Sequence, residues 1–550
     1  MGPGHNQGVV VVVSPEPEGA GRLRVLDPAT SEKLSDHNTA DLASWVARYE
    51  AEHHPRWVFP ATDALYPDLL EAGVRVARCH DLTLTEGILL AYAGQHGSPR
   101  NPLAAWARLH GGAEPPDRPP PSRDAQPALF DTDERVLSLD LLTEVYTAQL
   151  ARAEGLRLLV AAESAGGLTA AEMTHHGLPW DSDVHRALLT DMLGPKPAPG
   201  ARPEKLAALA ARILAAFDGH PVNPDSPPSV VKAFARQGIE IPSTRAWVLR
   251  EVDHPAVEPL LEYKELARMW TAHGWSWLDS WVHNGRFRPD YVVGGVVSGR
   301  WATRGGAALQ LPKALRTAVR AIPGWSLVSA DAAQLEPRVL AALSHDQRLA
   351  EVASDIDLYA SLAADSFEGK RDKAKIAMLS AMYGGTSGGA GPLLTVLRKR
   401  FPQALELVEQ AARDGEQGQM VRSILGRTSP RPGEQRMALM ERTDEESLQK
   451  SRQAQREWGR FTRNFVVQGS AADWALVLLV TLRRRLADTK AEIVFYQHDE
   501  VMVHCPAEDA PHVTSELLAA TEEATQLVFP GTEVKFPLDV STVDCYADAK

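Results

Sequence analysis

Two apolar runs, IVFY at 493–496 and VMVH at 501–504, lie only four residues apart, with Gln497, His498, Asp499 and Glu500 between them. Such spacing makes a tight strand reversal the expected local fold. It also sets two carboxylates beside a hydrophobic core. A solvated hairpin turn is the ordinary account of those acids, and a site that wants oxygen ligands is the alternative.

With 550 residues, 44% of them hydrophobic, the chain can bury several cores, so wholesale disorder is excluded and three or four domains are expected. The run VVVVV at 9–13 is too short to span a bilayer and lacks the basic flank and length of a signal peptide, which predicts a cytoplasmic protein. Cys79, Cys505 and Cys545 are too scattered for a disulfide framework or a structural zinc site. A net charge of −13 argues against indiscriminate nucleic-acid binding and still permits a local basic channel. VLRKR at 396–400 and TLRRRL at 481–486 are locally basic, whereas ERTDEESLQK at 441–450 is acidic.

Residues 1 to about 96 mix short strand-like runs with a helical stretch, DLTLTEGILLAYAG at 81–94, which suggests a small α/β domain over 1–110. GGAEPPDRPPPSRDAQP at 111–127 has no period that could pack, so 111–137 reads as a linker. The body, 138–550, opens with helical patterning that includes one helix over 141–163 and breaks at GPKPAPG, 194–200. A further helix is expected over 254–274, followed by strand-like DYVVGGVVSG (290–299) and WSLVSAD (325–331), a mainly helical stretch and the acid-bearing hairpin. No internal repeat is visible. The fold class is mixed α/β with large helical insertions.

WSLVSADAAQLEPRVLAALS, 325–344, reads as a strand ending near Asp331 and a helix beginning near Glu336. An acid at a strand end is commonly a turn or cap residue. Two such acids from distant parts of the chain, Asp331 and Asp499, could instead share a hard cation such as Mg²⁺. In RDKAKIAMLSAMYGG, 371–385, Arg371, Lys375, Leu379 and Tyr383 recur every four residues along one slightly skewed helix face. That face is either ordinarily amphipathic or sets cations against a triphosphate and offers Leu379 and Tyr383 to a sugar or base.

With these three stretches in this order, separated by 44 residues from Asp331 to Lys375 and by 124 from Lys375 to Asp499, the chain resembles a family A DNA polymerase of the bacterial DNA polymerase I type. SADAAQLEPRVLAALS resembles motif A, RDKAKIAMLSAMYGG motif B and YQHDEVMV motif C. SGRWATRGGAALQLP (298–312), RSILGRTSP (422–430), RFTRNFVVQGSAAD (460–473), EMTHHGLPWD (172–181) and HPAVEPLLEYKELARM extend the likeness over roughly 140–550. The resemblance implies a right-hand fold with thumb at about 200–290, palm at about 291–350 and 460–550, fingers at about 351–459, and a small α/β exonuclease-like N-terminal domain.

By the same resemblance, Asp331 and Asp499 are the metal-binding carboxylates, with Glu500 an assisting neighbour. Glu336 lies under the incoming sugar and excludes a 2′-hydroxyl, Arg371 and Lys375 meet the triphosphate, and Leu379 and Tyr383 lie near sugar and base. Lys375 adds a point charge where negative charge grows on the leaving group. Arg300, Arg460, Asn464 and Gln468 contact primer and template, and His498 sits near the primer end. The implied cofactor is Mg²⁺, two ions, with Mn²⁺ able to substitute. The implied partners are primer–template DNA and dNTPs, for a monomer, away from membranes, in the nucleoid-associated cytoplasm.

Several positions depart from the family pattern. Ala332 and Ala333 follow the motif A aspartate where an aromatic and Ser are usual, and Met378, Leu379 and Ser380 alter the flat surface of motif B. Pro337 is expected to bias Glu336 away from α geometry. The N-terminal strand lacks the Asp-x-Glu pair of an exonuclease and is followed only by Glu16 and Glu18, while Asp81 is the one acid that matches a later part of that fold. Extension of a primer by dNTPs without proofreading is therefore expected, and the length leaves no room for a separate 5′-nuclease domain. A bifunctional polymerase with 3′–5′ exonuclease activity and a catalytically silent primer–template binder are the alternatives. A single-chain RNA polymerase is disfavoured by Glu336 and the QHDE turn.

Overall fold

The structure, a computed structural model, describes residues 8–117, 137–306, 308, 311–385, 390–442, 444 and 447–549. Most of the expected linker, 118–136, and residues 307, 309 and 310 of the 298–312 segment lie outside the described residues. The chain forms two compact units: Met1–His175, Tyr291–Ala302 and Val328–Ser541 make one, and His176–Asp290, Thr303–Leu327 and Thr542–Lys550 the other.

In the first unit, strands β1 (Val10–Pro15), β2 (Gly21–Leu26), β3 (Lys33–Thr39), β4 (Arg56–Phe59) and β5 (Cys79–Asp81) form a sheet in the order β3-β2-β1-β4-β5. β1 runs antiparallel to β2 and parallel to β4. The valine run has no polar alternation because both faces of β1 are covered. Val11 and Val13 pack with Trp57 and Phe59 against Leu42, Val46 and Leu65, while Val10 and Val12 pack with Val58 against Leu82, Leu142 and Tyr146. Glu16, just past β1, pairs with Arg22 at 2.7 Å, and Glu18 lies exposed in a 3₁₀ turn. Asp81 is buried and caps the following helix, accepting N–H groups from Leu84 and Thr62, each at 2.7 Å. Burial pushes its carboxyl up to about 6.

Two expectations are corrected. The helix read over 141–163 is two helices, Leu139–Arg152 and Arg157–His176, parted where Gly155 takes φ +82°, a conformation that costs glycine little. DYVVGGVVSG is a strand only over Asp290–Val292; Gly294, at φ +57°, turns the chain there and presses so close to the Glu163 carboxylate that a side chain would clash.

A second sheet carries the acids. Strands β6 (Trp325–Ala332), β7 (Glu492–Gln497), β8 (Glu500–Pro506) and β9 (Leu538–Val543) are ordered β7-β8-β6-β9, which puts β6 in the interior beside the β7–β8 hairpin. Beside it runs a 38-residue helix, Leu448–Arg485, packed against the helices Pro402–Glu416 and Ala510–Val528. Among the described residues this is the one helix long and apolar enough to cross a membrane, but its apolar window is 83% buried inside the protein. Near its end, Arg483 donates to Glu172 at 2.6 and 2.8 Å and to the carbonyls of Val76 and Ala77, while Tyr66 and Arg75 complete the ring around the same carboxylate.

The second unit is mainly helical, with Ser182–Leu193, Glu204–Ala216, Pro227–Arg236 and Val257–His273. Its aromatic cluster joins Trp180, His185, Trp277 and Phe287.

Burial opposes ionisation of Glu172, and the Arg483 guanidinium overcomes it, holding the carboxyl at about 2. The pair therefore stabilises the fold above the ordinary carboxyl range and loses that contribution as pH falls from about 4 toward 2. Glu172→Gln, which leaves the Arg483 charge buried and uncompensated, should cost about 3–5 kcal/mol in chemical denaturation at neutral pH. A loss below about 1 kcal/mol would show that the ring does not hold the unit together.

Candidate active site

The turn between β7 and β8 is two residues long, His498 and Asp499, between the paired Gln497 and Glu500. His498 takes φ +59°, as the turns that match strand twist require at their first central residue. This reversal holds Asp499 against the end of β6, where the Ala332 N–H donates to the Asp499 carbonyl at 3.0 Å. Asp331 is the residue just before that contact. Ser329, two residues earlier and on the same face of β6 as Asp331, donates to the buried Glu500 at 3.1 Å.

The two aspartates feel each other. Burial, and next the Asp331 carboxylate, push Asp499 up to about 6. A pair of nearby carboxylates, one of them raised by burial and by the other, suits a hard divalent cation. No cluster of three or more His, Cys, Asp or Glu side chains arranged to hold a metal occurs among the described residues, so water and substrate oxygens would complete the shell.

Glu336 lies in the first turn of the helix Leu335–Ser344 that follows β6. Pro337 does not tilt Glu336 out of the helix, contrary to expectation. The missing N–H falls in the first turn, and the unusual backbone is displaced to Gln334, at φ +55°. One carboxylate oxygen of Glu336 accepts from Arg300 and the other from the Tyr383 hydroxyl. Burial and that hydrogen bond raise the Tyr383 pKa, keeping the phenol protonated as donor. His498 presents an exposed ring, but the surrounding protein and Arg300 hold its pKa below the ordinary imidazole value, so it is neutral at pH 7.

The helix Arg371–Tyr383 carries the four-residue ladder. Arg371 pairs with Asp357 at 2.8 Å, Lys375 is exposed and makes no ion pair among the described residues, and Leu379 is half-buried. At the helix's end Gly384, at φ +69°, lies under the stem of Arg460 from the long helix, and a Cβ there would come within 2.8 Å of that stem. Asn464 and Gln468 follow Arg460 at four-residue steps on one face. The Asn464 Oδ1 is buried without a hydrogen-bond partner. The structure thus joins Asp331, Asp499, Glu500, Arg300, Glu336, His498 and Tyr383 into one cluster, sets Arg460 against Gly384, and engages Arg371 with a carboxylate.

Three positioning groups escaped sequence reasoning. Arg338, fully buried, meets no carboxylate; it donates to the carbonyls of Ala333, Ala353, Asp355, Ile356 and Lys535 at 2.6–3.0 Å. Burial lowers its pKa to about 10, which leaves it charged at neutral pH. Gln334 bridges to Asp357 and to the Leu358 N–H, linking the end of β6 to the partner of Arg371. Arg427 lies buried between Glu163 at 2.8 Å and Asp473 at 3.2 Å. An arginine within an apolar helix, PRVLAALS, was the available signal for the first; the others depend on contacts between distant segments.

A family model described as DNA polymerase family A matches residues 202–547. The thermostable DNA polymerase I of Thermus filiformis is 27% identical over 315 residues, 52% of this chain and 35% of that protein. That of Thermus aquaticus is 26% identical over 377 residues, 61% of this chain and 43% of that one, and the DNA polymerase I of Treponema pallidum is 25% identical over 305 residues, 50% and 29%. The chain spans about a third of the length of these curated relatives. Among solved structures, the POL domain of Pol1 from M. smegmatis, in complex with DNA primer-template and dNTP, aligns over 100% of this chain and 99% of its own with a TM-score of 0.71 and 18% identity. That likeness shows the fold, the mixed α/β architecture of palm, fingers and thumb. Family A DNA polymerases use divalent metal ions.

The raised Asp499 carboxyl destabilises the charged folded form above pH 6, and the penalty disappears as pH falls toward about 4. In metal-free protein, Asp499→Asn should therefore raise stability at pH 7.5 by about 1–3 kcal/mol and give no gain at pH 4, read by chemical denaturation. An equal effect at both values would mean that the Asp499 carboxyl is not raised in the folded protein.

Proposed function

The chain belongs to DNA polymerase family A, and from that premise we propose that it is a template-directed DNA polymerase, extending a primer 3′ end with dNTPs. The carrying observation is the hydrogen bond from Ala332 to Asp499, which sets two carboxylates from distant segments at one point. Asp331 and Asp499 would hold Mg²⁺, with Mn²⁺ acceptable to the same oxygen donors. When bound, the metal supplies charge stabilisation and a lowered pKa at an attacking hydroxyl.

The protein's own groups divide the remaining work. Lys375, exposed on the helix Arg371–Tyr383, would offer a cation to a triphosphate, and Arg371 would join it by exchanging Asp357 for phosphate. Glu336 is held from both sides, by Arg300 and Tyr383, and its carboxylate would crowd a 2′-hydroxyl. Leu379 and Tyr383 would line the sugar and base, and Arg460, Asn464 and Gln468 would meet the primer–template, with His498 beside the primer end. The unpaired Asn464 oxygen supports a ligand on that face. We further propose that the chain does not proofread: β1 presents valines to both covered faces, Glu16 is paired with Arg22, and Asp81 is committed to two backbone N–H groups.

Primer extension with Mg²⁺ tests the reading, comparing dNTPs with NTPs and including a mismatched primer end without nucleotides. Extension by dNTPs without shortening is expected. Asp331→Asn and Asp499→Asn should each reduce incorporation to undetectable levels while leaving primer–template affinity nearly unchanged, and ordinary incorporation by either variant refutes the assignment. Glu336→Ala should relax discrimination against NTPs on the order of a hundredfold, measured as the ratio of kcat/KM values.

A further inference from the structure

The long helix starts well before Arg460. At 3.6 residues per turn, Lys450, Gln453 and Glu457 fall in the same sector, about 80° wide, as Arg460, Asn464 and Gln468. One stripe therefore continues from the active-site end of the helix toward its start, about 15 Å from Arg460 to Lys450. There the helix Glu434–Met440 packs against it, and the two enclose an open groove of about 630 Å³ lined by Arg436, Leu439, Arg442, Lys450, Gln453 and Glu457.

The charge along the first turns of this helix opposes that of the chain and of the acidic segment just before it, 441–447. Residues 448–463 hold Lys450, Arg452, Arg456, Arg460 and Arg463 against the single acid Glu457, a local excess of four positive charges in a chain of net −13. Arg452, Arg456 and Arg460 stand at four-residue steps, so they are neighbours that repel one another on the helix surface. Lys450, Arg452 and Arg456 are exposed and form no ion pair among the described residues. Arg436 is held as one wall, 3.4 Å from Glu457 and over the Trp458 ring at 5.5 Å.

We propose that this groove, with Arg456 and Arg460 on the flank of the same helix beside it, binds the phosphate backbone of an unpaired template strand beyond the active site. A groove of this size takes a few nucleotides of single strand and not a duplex. Leu439 gives it an apolar floor for sugars or bases, and the cations track the backbone. The inference rests on the polymerase reading for its direction, because Arg460, Asn464 and Gln468 set where the strand leaves the site.

The test compares the full chain with the triple variant Arg442→Gln, Lys450→Gln, Arg456→Gln, after melting curves establish that both are folded. Binding is measured by fluorescence anisotropy on primer–templates with a 5′ template overhang of about two or about twelve thymidines, across a salt series. The triple variant should lose about tenfold in affinity for the long overhang only, and its log–log salt slope should fall by about two, since each single-strand phosphate contact contributes about 0.7. No loss, or the same loss on both substrates, overturns the proposal. So does competition by a poly-glutamate peptide that the triple variant abolishes while long-overhang affinity stays unchanged, which would assign the groove to an acidic protein segment. Wild-type protein that binds the long overhang but does not extend primers would end the polymerase reading and leave this surface standing; extension with no overhang dependence of binding would do the reverse.

Discussion

A backbone hydrogen bond brings the hairpin that carries Asp499 against the end of the strand that carries Asp331, and the charge of the second acts on the first. Asp499 sits in a two-residue turn, its own carbonyl bound by Ala332, and Asp331 is the strand residue immediately before that donor. Burial adds to the repulsion, as the raised Asp499 carboxyl shows. Asp499 thus carries an electrostatic penalty in the folded protein, and other charged groups lie around it. Glu336, a third acid nearby, is paired with Arg300 and accepts the Tyr383 hydroxyl, whereas Lys375 makes no ion pair among the described residues.

Holding such a pair requires a rigid frame behind it, and the frame uses buried arginine in two different ways. Arg427 and Arg483 meet carboxylates, so removing one partner leaves a bare charge. Arg338 meets only carbonyls. Five of them converge on its guanidinium from the turn after β6, from residues 353–356 and from Lys535, which fastens three segments at the back of the Asp331 strand with one side chain. The five N–H donors of the fork allow this; lysine, with three, could not serve the same contacts.

What could be read from the sequence was local or periodic. The hairpin was visible because its runs and acids are contiguous, and the helix face of Arg371, Lys375, Leu379 and Tyr383 because a four-residue step survives folding unchanged. Glu336 could be placed on its helix, but not its two hydrogen-bond partners, which arrive from 36 and 47 residues away. The same limit hid the Asp357 carboxylate on Arg371 and the meeting of Arg427 with Glu163, 264 residues apart. Gly155 failed as a visible break because a lone glycine is compatible with a helix, and only the left-handed backbone it adopts ends one.

The N-terminal sheet has a mechanical part in the fold. Its central strand, β1, is four valines followed by Ser14 and Pro15, with the valines buried on both faces. Yet Tyr66 and the carbonyls of Val76 and Ala77, from the segments between its strands, supply half of the ring that seats Glu172 and Arg483. Arg483 ends the same long helix whose middle carries Arg460, Asn464 and Gln468. A helix of 38 residues tied firmly at one end and buried along its apolar half can hold its exposed beginning at a fixed distance from the acids. The packed core of the sheet thus supports the long helix through the Glu172–Arg483 ring, at the opposite end from Lys450.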